Sequence, residues 1–241
     1  ENDYYYVNNG DGTFSESGAK HFRHYSRFSM GNDIADYNND GQPDVITVDM
    51  LPPDEKTLKT YGSDENPDIY KVKLSIQGYQ DQYSKNCLQR NNGNGTTFSD
   101  VGLISGVSAT DWSWAALWTD FDNDGWKDLF ISNGIPKRLN DMDYVNYASN
   151  EELQEKIRTN RLEERDLALV KKFPEIKLSN KFYLNKGEAK FEDAAFMIRN
   201  NLKTYSDGAA YADFDNDGDL DLVVNNIDEP ALIYKNLASD S

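Results

Sequence analysis

Cysteine is almost missing from this chain: Cys87 stands alone among 241 residues, so no disulfide can form within it and the covalent staple of small secreted domains is not available. Histidine is scarce as well. His21 and His24, three apart, lie far in sequence from any obvious nucleophile and are not expected to bind metal or take part in catalysis. There is no H-E-x-x-H, no C-x-x-C, no phosphate-cradling glycine loop and no G-x-S-x-G elbow, so the chain is expected not to be an enzyme. Carboxylate pairs for glycoside hydrolysis are supplied by any acidic chain and carry no such signal here. Positive charge is also in deficit, with 25 Lys plus Arg against 42 Asp plus Glu and a net charge of −17. Such a chain is a poor holder of nucleic acid or of anionic membrane. No apolar run approaches the ~18 to 20 residues of a membrane helix. The sequence opens at Glu1-Asn-Asp-Tyr without a start methionine or signal region, which predicts a segment of a processed or longer protein.

What is abundant is aspartate, asparagine and glycine in a fixed order. Asp36-Tyr-Asn-Asn-Asp-Gly-Gln-Pro-Asp44, Asp120-Phe-Asp-Asn-Asp-Gly-Trp-Lys-Asp128 and Asp213-Phe-Asp-Asn-Asp-Gly-Asp-Leu-Asp221 share the pattern D-x-[DN]-x-D-G-x-x-D. Side-chain oxygens recur every second residue, a glycine permits a sharp turn, and a last aspartate follows. Without a cation these oxygens repel one another; a hard cation that accepts six to eight oxygens turns the repulsion into coordination. Side-chain ligands are therefore expected from positions one, three, five and nine: Asp36, Asn38, Asp40 and Asp44; Asp120, Asp122, Asp124 and Asp128; Asp213, Asp215, Asp217 and Asp221. Backbone carbonyls are expected from position seven, at Gln42, Trp126 and Asp219. Three calcium ions follow, and they would bring the net charge from −17 to −11. An Asp-Asn-Gly cluster is also an ordinary turn, but three copies at one spacing weigh against that. An EF-hand needs a Glu at position twelve, where Thr47, Ile131 and Val224 stand instead. Calcium loops of the millimolar range suit an extracellular setting.

The loops sit in a longer repeat. Phe14, Phe98 and Phe191 each precede the first aspartate of a loop by 22 residues. Before each Phe lies a turn: Asn8-Asn-Gly-Asp-Gly12, Asn91-Asn-Gly-Asn-Gly95 and the degraded Asn185-Lys-Gly-Glu188. Asn-Gly between apolar runs marks a hairpin, and the β-branched runs after each loop read as strands. One unit thus reads strand A, cation loop, strand B, strand C, hairpin, strand D, which is a propeller blade. The predicted fold is all-β: a partial β-propeller of about three four-stranded blades with two partly helical insertions. Residues 1–27 end a preceding blade, 28–100 and 101–193 are blades, and 194–241 form an incomplete blade. Because loop spacings of 84 and 93 residues exceed the ~40 to 50 of common blades, insertions are placed between strands B and C, at 51–85 and 136–180.

The first insertion opens with Leu51-Pro-Pro-Asp54, where proline stops the strand, and is expected to hold one short helix. In the second, Ser149-Asn-Glu-Glu152 resembles a capping box, and Leu153, Ile157, Leu167, Val170 and Phe173 fit a helical stripe that breaks near Asn160 before Pro174 ends it. Strand direction puts both insertions on the face opposite the loops. Trp112, Trp114 and Trp118, near the start of an inner strand, are expected to pack between blades rather than stack on sugars. Asn94-Gly-Thr96 matches a glycosylation acceptor, a pattern that arises readily by chance.

The motif D-x-D-x-D-G-x-x-D followed by a D-L-x-V-like strand resembles the FG-GAP or VCBS repeat of integrin-α-like propellers. Val48-Asp-Met-Leu-Pro52, Thr110-Asp-Trp-Ser-Trp114, Asp120 to Leu129 and Leu139-Asn-Asp-Met-Asp-Tyr144 are similar to Bacteroidetes surface proteins with VCBS repeats and an ASPIC/UnbV domain. The resemblance implies a calcium-stabilised extracellular propeller, often a lipoprotein beside outer-membrane nutrient-uptake proteins, and it carries over no catalytic residue. The first loop departs from the family pattern at Asn38 and Pro43, which bears on affinity rather than geometry. The expected function is a cell-surface scaffold that engages a protein partner, such as an outer-membrane transport complex, through the insertions. A polysaccharide-binding or polysaccharide-degrading surface protein is the alternative, with a glycan as ligand.

Overall fold

In the computed structural model the described residues are 2–61, 66–161, 163, 164, 166, 168, 171 and 175–239. A hairpin comes first, β1 (Tyr6–Asn8) and β2 (Phe14–Glu16), followed by the one-turn helix α1 (Gly18–His21) and strand β3 (Tyr25–Ser26). The first four-stranded sheet contains β4 (Gly31–Ala35) and β5 (Asp44–Val48); after helices α2 (Glu55–Thr60) and α3 (Pro67–Ser75) and strand β6 (Gln82–Tyr83), it is completed by β7 (Cys87–Asn91) and β8 (Phe98–Asp100). The second is built alike from β9 (Ser113–Thr119) and β10 (Asp128–Asn133), then helices α4 (Met142–Ala148) and α5 (Glu151–Arg158) and strand β11 (Leu178–Ser179), then β12 (Lys181–Asn185) and β13 (Phe191–Asp193). A 3-10 turn at Ala195–Met197 and strand β14 (Lys203–Thr204) lead into a three-stranded sheet of β15 (Ser206–Ala212), β16 (Asp221–Asn226) and β17 (Leu232–Tyr234). Every pairing inside these sheets is antiparallel and sequential. The protein is therefore an all-β partial propeller with helical insertions. Among the described residues the sheets do not close into a ring.

Where the core sits follows from the strand sequences. β5 alternates buried and half-buried residues, whereas β10, Asp-Leu-Phe-Ile-Ser-Asn, is buried at every position. A strand covered on both faces needs a sheet on each side, and β10 has them. Leu129 and Ile131 pack with Ile46, Val48 and Leu88 of the first sheet, while Phe130 packs with Leu222 and Val224 of the third. Fully burying each such side chain contributes ~1.5 to 3 kcal/mol. Trp118 stacks on Tyr37 across the gap between the first two sheets, with centroids 5.5 Å apart and planes 12° apart, so this tryptophan fills space between blades. At the inner strands the backbones touch: a Cβ on Gly31 would lie 2.0 Å from the Trp114 carbonyl oxygen, and the Trp118 N–H donates to Asp33 Oδ2 at 2.8 Å.

The insertions differ in detail from the sequence expectation. The first holds two helices rather than one. Asp54, directly after the two prolines, caps α2 by accepting from Thr57 N–H at 2.8 Å, and Asn66 caps α3 ahead of Pro67, both by ordinary N-cap chemistry. In the second, the cap of α5 is Asn150, whose Oδ1 accepts from the Glu152 and Leu153 N–H groups at 3.0 and 3.2 Å, while Ser149 ends α4. The break expected near Asn160 is present, with that residue at φ 53°. Leu167, Val170, Phe173 and Pro174 lie outside the described residues.

Two short pairings had no sequence signal. β3 runs parallel to β6, and β11 antiparallel to β14; each ties a connector between sheets to the end of an insertion. Since β4 and β5 are antiparallel and joined by the first loop, the insertion after β5 leaves from the opposite end of the blade, and the same holds for β9 and β10. There the insertions meet through the Tyr61–Asp141 bridge. Arg138 of the second insertion forms a buried ion pair with Asp111, a single nitrogen, Nη2, reaching both carboxylate oxygens at 2.8 and 2.9 Å.

Candidate metal centres

The three loops fold by one set of hydrogen bonds. The first aspartate accepts twice from the turn: Asp36 from Asp40 and Gly41 N–H at 3.0 and 2.8 Å, Asp120 from Asp124 and Gly125 at 3.1 and 2.9 Å, and Asp213 from Asp217 and Gly218 at 3.2 and 3.1 Å. Position four is an asparagine in left-handed conformation each time, with φ of 57°, 58° and 60° at Asn39, Asn123 and Asn216. Position six is glycine at φ 82°, 90° and 95°, a value that side chains with a Cβ rarely adopt. Position nine is buried in all three and opens strand B, at Asp44, Asp128 and Asp221. Its carboxylate closes the loop by accepting from the position-two N–H, at 3.3, 3.0 and 3.0 Å. It also accepts from the asparagine that follows or ends strand C, Asn91, Asn185 or Asn236, at 2.7, 2.9 and 2.8 Å.

Oxygens of Asp120, Asp122 and Asp128 lie within 4.8 Å of one another, as do those of Asp213, Asp215 and Asp221. Two oxygens on one calcium ion, each ~2.3 to 2.6 Å from it, are at most ~5 Å apart, so both trios fit a hard divalent cation. The donors are oxygens throughout, which excludes a thiophilic preference. Among the described residues the first loop offers no such carboxylate trio, because Asn38 holds position three; its Oδ1 accepts from Asp40 N–H at 3.1 Å, as Asp122 Oδ1 does from Asp124. Asp40, Asp124 and Asp217 at position five stand outside the carboxylate groupings, each with Oδ1 accepting from the position-seven N–H. At position seven, Gln42 is half-buried, Trp126 turns its ring over Gly187, and the Asp219 side chain is fully buried.

Electrostatics point the same way. Burial pushes the Asp44 carboxyl up to about 6, against the N–H groups of Asn91 and Tyr37 and with Asp40 and Asp36 adding to the rise. Asp128 is likewise raised to about 6 by burial, with Asp122 and Asp124 contributing. What these sites lack is positive charge. The third loop has some: Lys235 Nζ lies 2.5 Å from Asp215 Oδ2 and 3.3 Å from Asp217 Oδ2. That lysine, beyond strand C, has no signal in the loop pattern.

The loops also hold one another. Asn39 Nδ2 donates to the Gly125 carbonyl at 3.0 Å, and Asn123 Nδ2 to Asp219 Oδ1 at 2.6 Å. Asn185 Nδ2 bridges the carbonyls of Tyr37 and Lys127, at 2.7 and 3.0 Å, and Asn236 Nδ2 those of Phe121 and Leu220, at 2.7 and 3.3 Å. The first and second loops are thus each clasped to the next blade by two asparagines.

A further cluster involves one of the histidines, which the sequence did not place beside other ligand-type side chains. His24 lies with Cys87 and Asp100, ligand atoms within 4.8 Å. Asp100 Oδ2 accepts from His24 Nε2 at 2.8 Å and from Lys85 Nζ. Burial would raise the Asp100 carboxyl, yet these two donors hold it down to about 2. The Cys87 thiol is fully buried and burial pushes it up to about 12, so it is no nucleophile. The cluster is an ion-paired anchor for the end of the first insertion. His21 packs on Tyr5 and Phe98.

Stacked antiparallel sheets that each carry an aspartate loop between their first two strands define a repeat-built propeller with cation-type loops. More particularly, residues 1–47 and 63–131 match the model of the FG-GAP-like repeat, a repeat typical of extracellular and surface proteins. The third sheet lies beyond the matched residues and repeats the same hydrogen bonds. No curated protein matches the chain. Among the described residues no helix is long and apolar enough to cross a membrane.

Proposed function

We propose that this chain is a calcium-stabilised, non-enzymatic β-propeller scaffold at the cell surface, which engages a protein partner through the end formed by residues 51–85 and 136–180. The observation that carries the reading is the division of labour between the two ends of each blade. At one end, three oxygen-only loops with one set of hydrogen bonds join strands A and B, and the carboxylate trios of the second and third fit cations that would hold the fold. At the other, both insertions meet and present apolar side chains to solvent: Ile69, Val72 and Ile76 from the first, Met142, Val145 and Ile157 from the second. Segments on a rigid scaffold are where binding concentrates, and scattered apolar groups gathered at one end are the material of a protein interface. The resemblance of Val48–Pro52, Thr110–Trp114, Asp120–Leu129 and Leu139–Tyr144 to Bacteroidetes surface proteins with VCBS repeats and an ASPIC/UnbV domain supports an outer-membrane lipoprotein in a nutrient-uptake complex as the setting.

Two measurements test this. Calorimetric titration of the chelated protein with calcium is expected to give three sites; fewer than two would overturn the cation reading. Cross-linking in the native outer membrane, read by mass spectrometry, is expected to place partner cross-links within 51–85 and 136–180, and Ile76→Asp combined with Val145→Asp is expected to remove them. Cross-links confined to the loop end, or insensitive to that pair of substitutions, would overturn the assignment of the binding end.

A further inference from the structure

The connectors that lead from strand D of one sheet to strand A of the next are unlike the rest of the chain. Residues 17–30, 101–110 and 194–205 contain five Lys and Arg and not one of the 42 Asp and Glu. The net charge of −17, which makes the chain as a whole a poor holder of anionic membrane, conceals them. Since consecutive strands in each sheet are antiparallel, strand D ends where strand B does, and the connectors emerge at the end opposite the cation loops. There the two insertions, with 14 Lys and Arg against 15 Asp and Glu between them, bring a single net negative charge. The three connectors start alike. Ser17, Val101 and Ala194 each donate an N–H at 2.8 Å to a carbonyl of strand C or of the residue before it, Tyr5, Leu88 or Phe182. The acid that ends strand D, Glu16, Asp100 or Asp193, accepts from the N–H of Gly18, Gly102 or Ala195 at 2.7, 2.9 and 3.0 Å, and Asp100 and Asp193 also pair with Lys85 and Lys181. Each turn then carries two side chains outward: Ala19-Lys20, Leu103-Ile104 and Phe196-Met197. Leu103, Ile104 and Phe196 are 76%, 77% and 78% exposed, and Met197 is 54% exposed. Single exposed apolar residues are ordinary, but bulky pairs at one place in two neighbouring units, on turns fixed by the same hydrogen bonds, form an apolar edge. Lys20, Arg23, Arg199 and Lys203 stand exposed along it and pair with no carboxylate among the described residues.

We propose that this edge docks on an anionic phospholipid bilayer, with Leu103-Ile104 and Phe196-Met197 entering the boundary between headgroups and acyl chains and the four cations lying on the phosphates. Charge and apolarity select the occupant together. A soluble polyanion would meet the cations but leave four bulky apolar side chains in water, and an apolar protein groove would leave the cations unmatched. A phosphate-bearing bilayer takes both at once. The acidic loops, at the far end, turn the molecule so that this edge approaches such a surface first. The docking edge lies beside the insertions; it goes beyond the proposed partner role and rests neither on that role nor on the loading of the loops.

The test is flotation of the full chain with vesicles of phosphatidylcholine alone and of phosphatidylcholine mixed with phosphatidylglycerol. Binding to the mixed vesicles is expected, and salt is expected to weaken it. Leu103→Ser combined with Phe196→Ser is expected to lower the affinity by about tenfold or more, and Arg199→Gln combined with Lys203→Gln by about tenfold, each with the melting temperature of the parent. Ile233→Ser, at an exposed apolar position of the third sheet, is expected to leave binding unchanged. A polarity-sensitive fluorophore on Ile104→Cys is expected to shift to the blue on the mixed vesicles; Cys87, being buried, takes no label. Failure to bind the mixed vesicles, binding indifferent to both pairs of substitutions, or equal binding of a soluble polyphosphate with no shift of the fluorophore on vesicles would overturn the proposal.

Discussion

Lys235 shows how one residue can set the properties of a cation loop. Its ammonium already sits on Asp215 and Asp217, and these two carboxylates raise it above its ordinary range. A cation entering the third loop must displace or repel that charge, whereas among the described residues no lysine is ion-paired with the position-three or position-five side chain of the other two loops. The pair is half-exposed, and exposed ion pairs are weak, so the effect is one of affinity rather than of folding. Lys235→Met is expected to tighten calcium binding at the third loop about three- to tenfold, with the gain shrinking as salt screens the lysine in the parent. Calorimetric titration of the parent and variant at low and high salt checks this. Unchanged or weaker binding in the variant would show that the lysine supports the loop instead of competing for it.

At the scale of elements, strand order and the loops were legible because their signals are local. Asp-Asn-Gly turns, β-branched runs and the constant step from Phe to loop all lie within one unit, and the sheets follow them. What escaped notice depends on residues far apart in sequence. Asn185 reaches the Tyr37 carbonyl across 148 positions, and Asn123 reaches Asp219 across 96; neither asparagine differs in sequence from an ordinary turn residue. β3 and β6 are two residues each, too short for any periodicity. His24 meets Asp100 only because the fold brings a connector beside the end of a strand. The asparagine clasp makes a further expectation. A cation that fixes the second loop also fixes Asn123 on Asp219 in the third, so binding at these loops should be mutually favourable by ~1 kcal/mol, or about fivefold. A double-mutant cycle of Asn123→Ala and Asp122→Asn, read as calcium affinity at the third loop, measures it. Strict additivity of the two substitutions would rule the coupling out.

For the molecule as a whole, stability depends on sheets that are covered in the middle and open at the outer faces. Tyr37 is fully buried under the second blade, whereas Phe214, its counterpart in the third loop, is 53% exposed, as are Phe14 at 61% and Ile233 at 73%. The stack therefore has few contacts to spare, and without cations its loops are where burial and repulsion of carboxylates concentrate. At Asp44 and Asp128 burial lifts the carboxyls toward neutrality, and the neighbouring aspartates add to the rise. A ligand at a hundred times its dissociation constant adds ~2.7 kcal/mol per site. Three loaded loops would thus add ~8 kcal/mol, and for a chain of this size each kcal/mol corresponds to ~2 to 4 °C. Chelation is expected to lower the melting temperature by about 15 to 30 °C, with limited proteolysis at partial chelation opening the 36–44 loop first, because Asn38 leaves it one carboxylate short and so the first to release its ion. Magnesium should restore little of the loss, since it demands a tighter octahedral shell than these flexible loops offer. Scanning calorimetry with calcium, magnesium and chelator decides the matter. A melting curve and a protease pattern unchanged by chelation would show that packing between the blades suffices by itself, and that the loops fold without their ions.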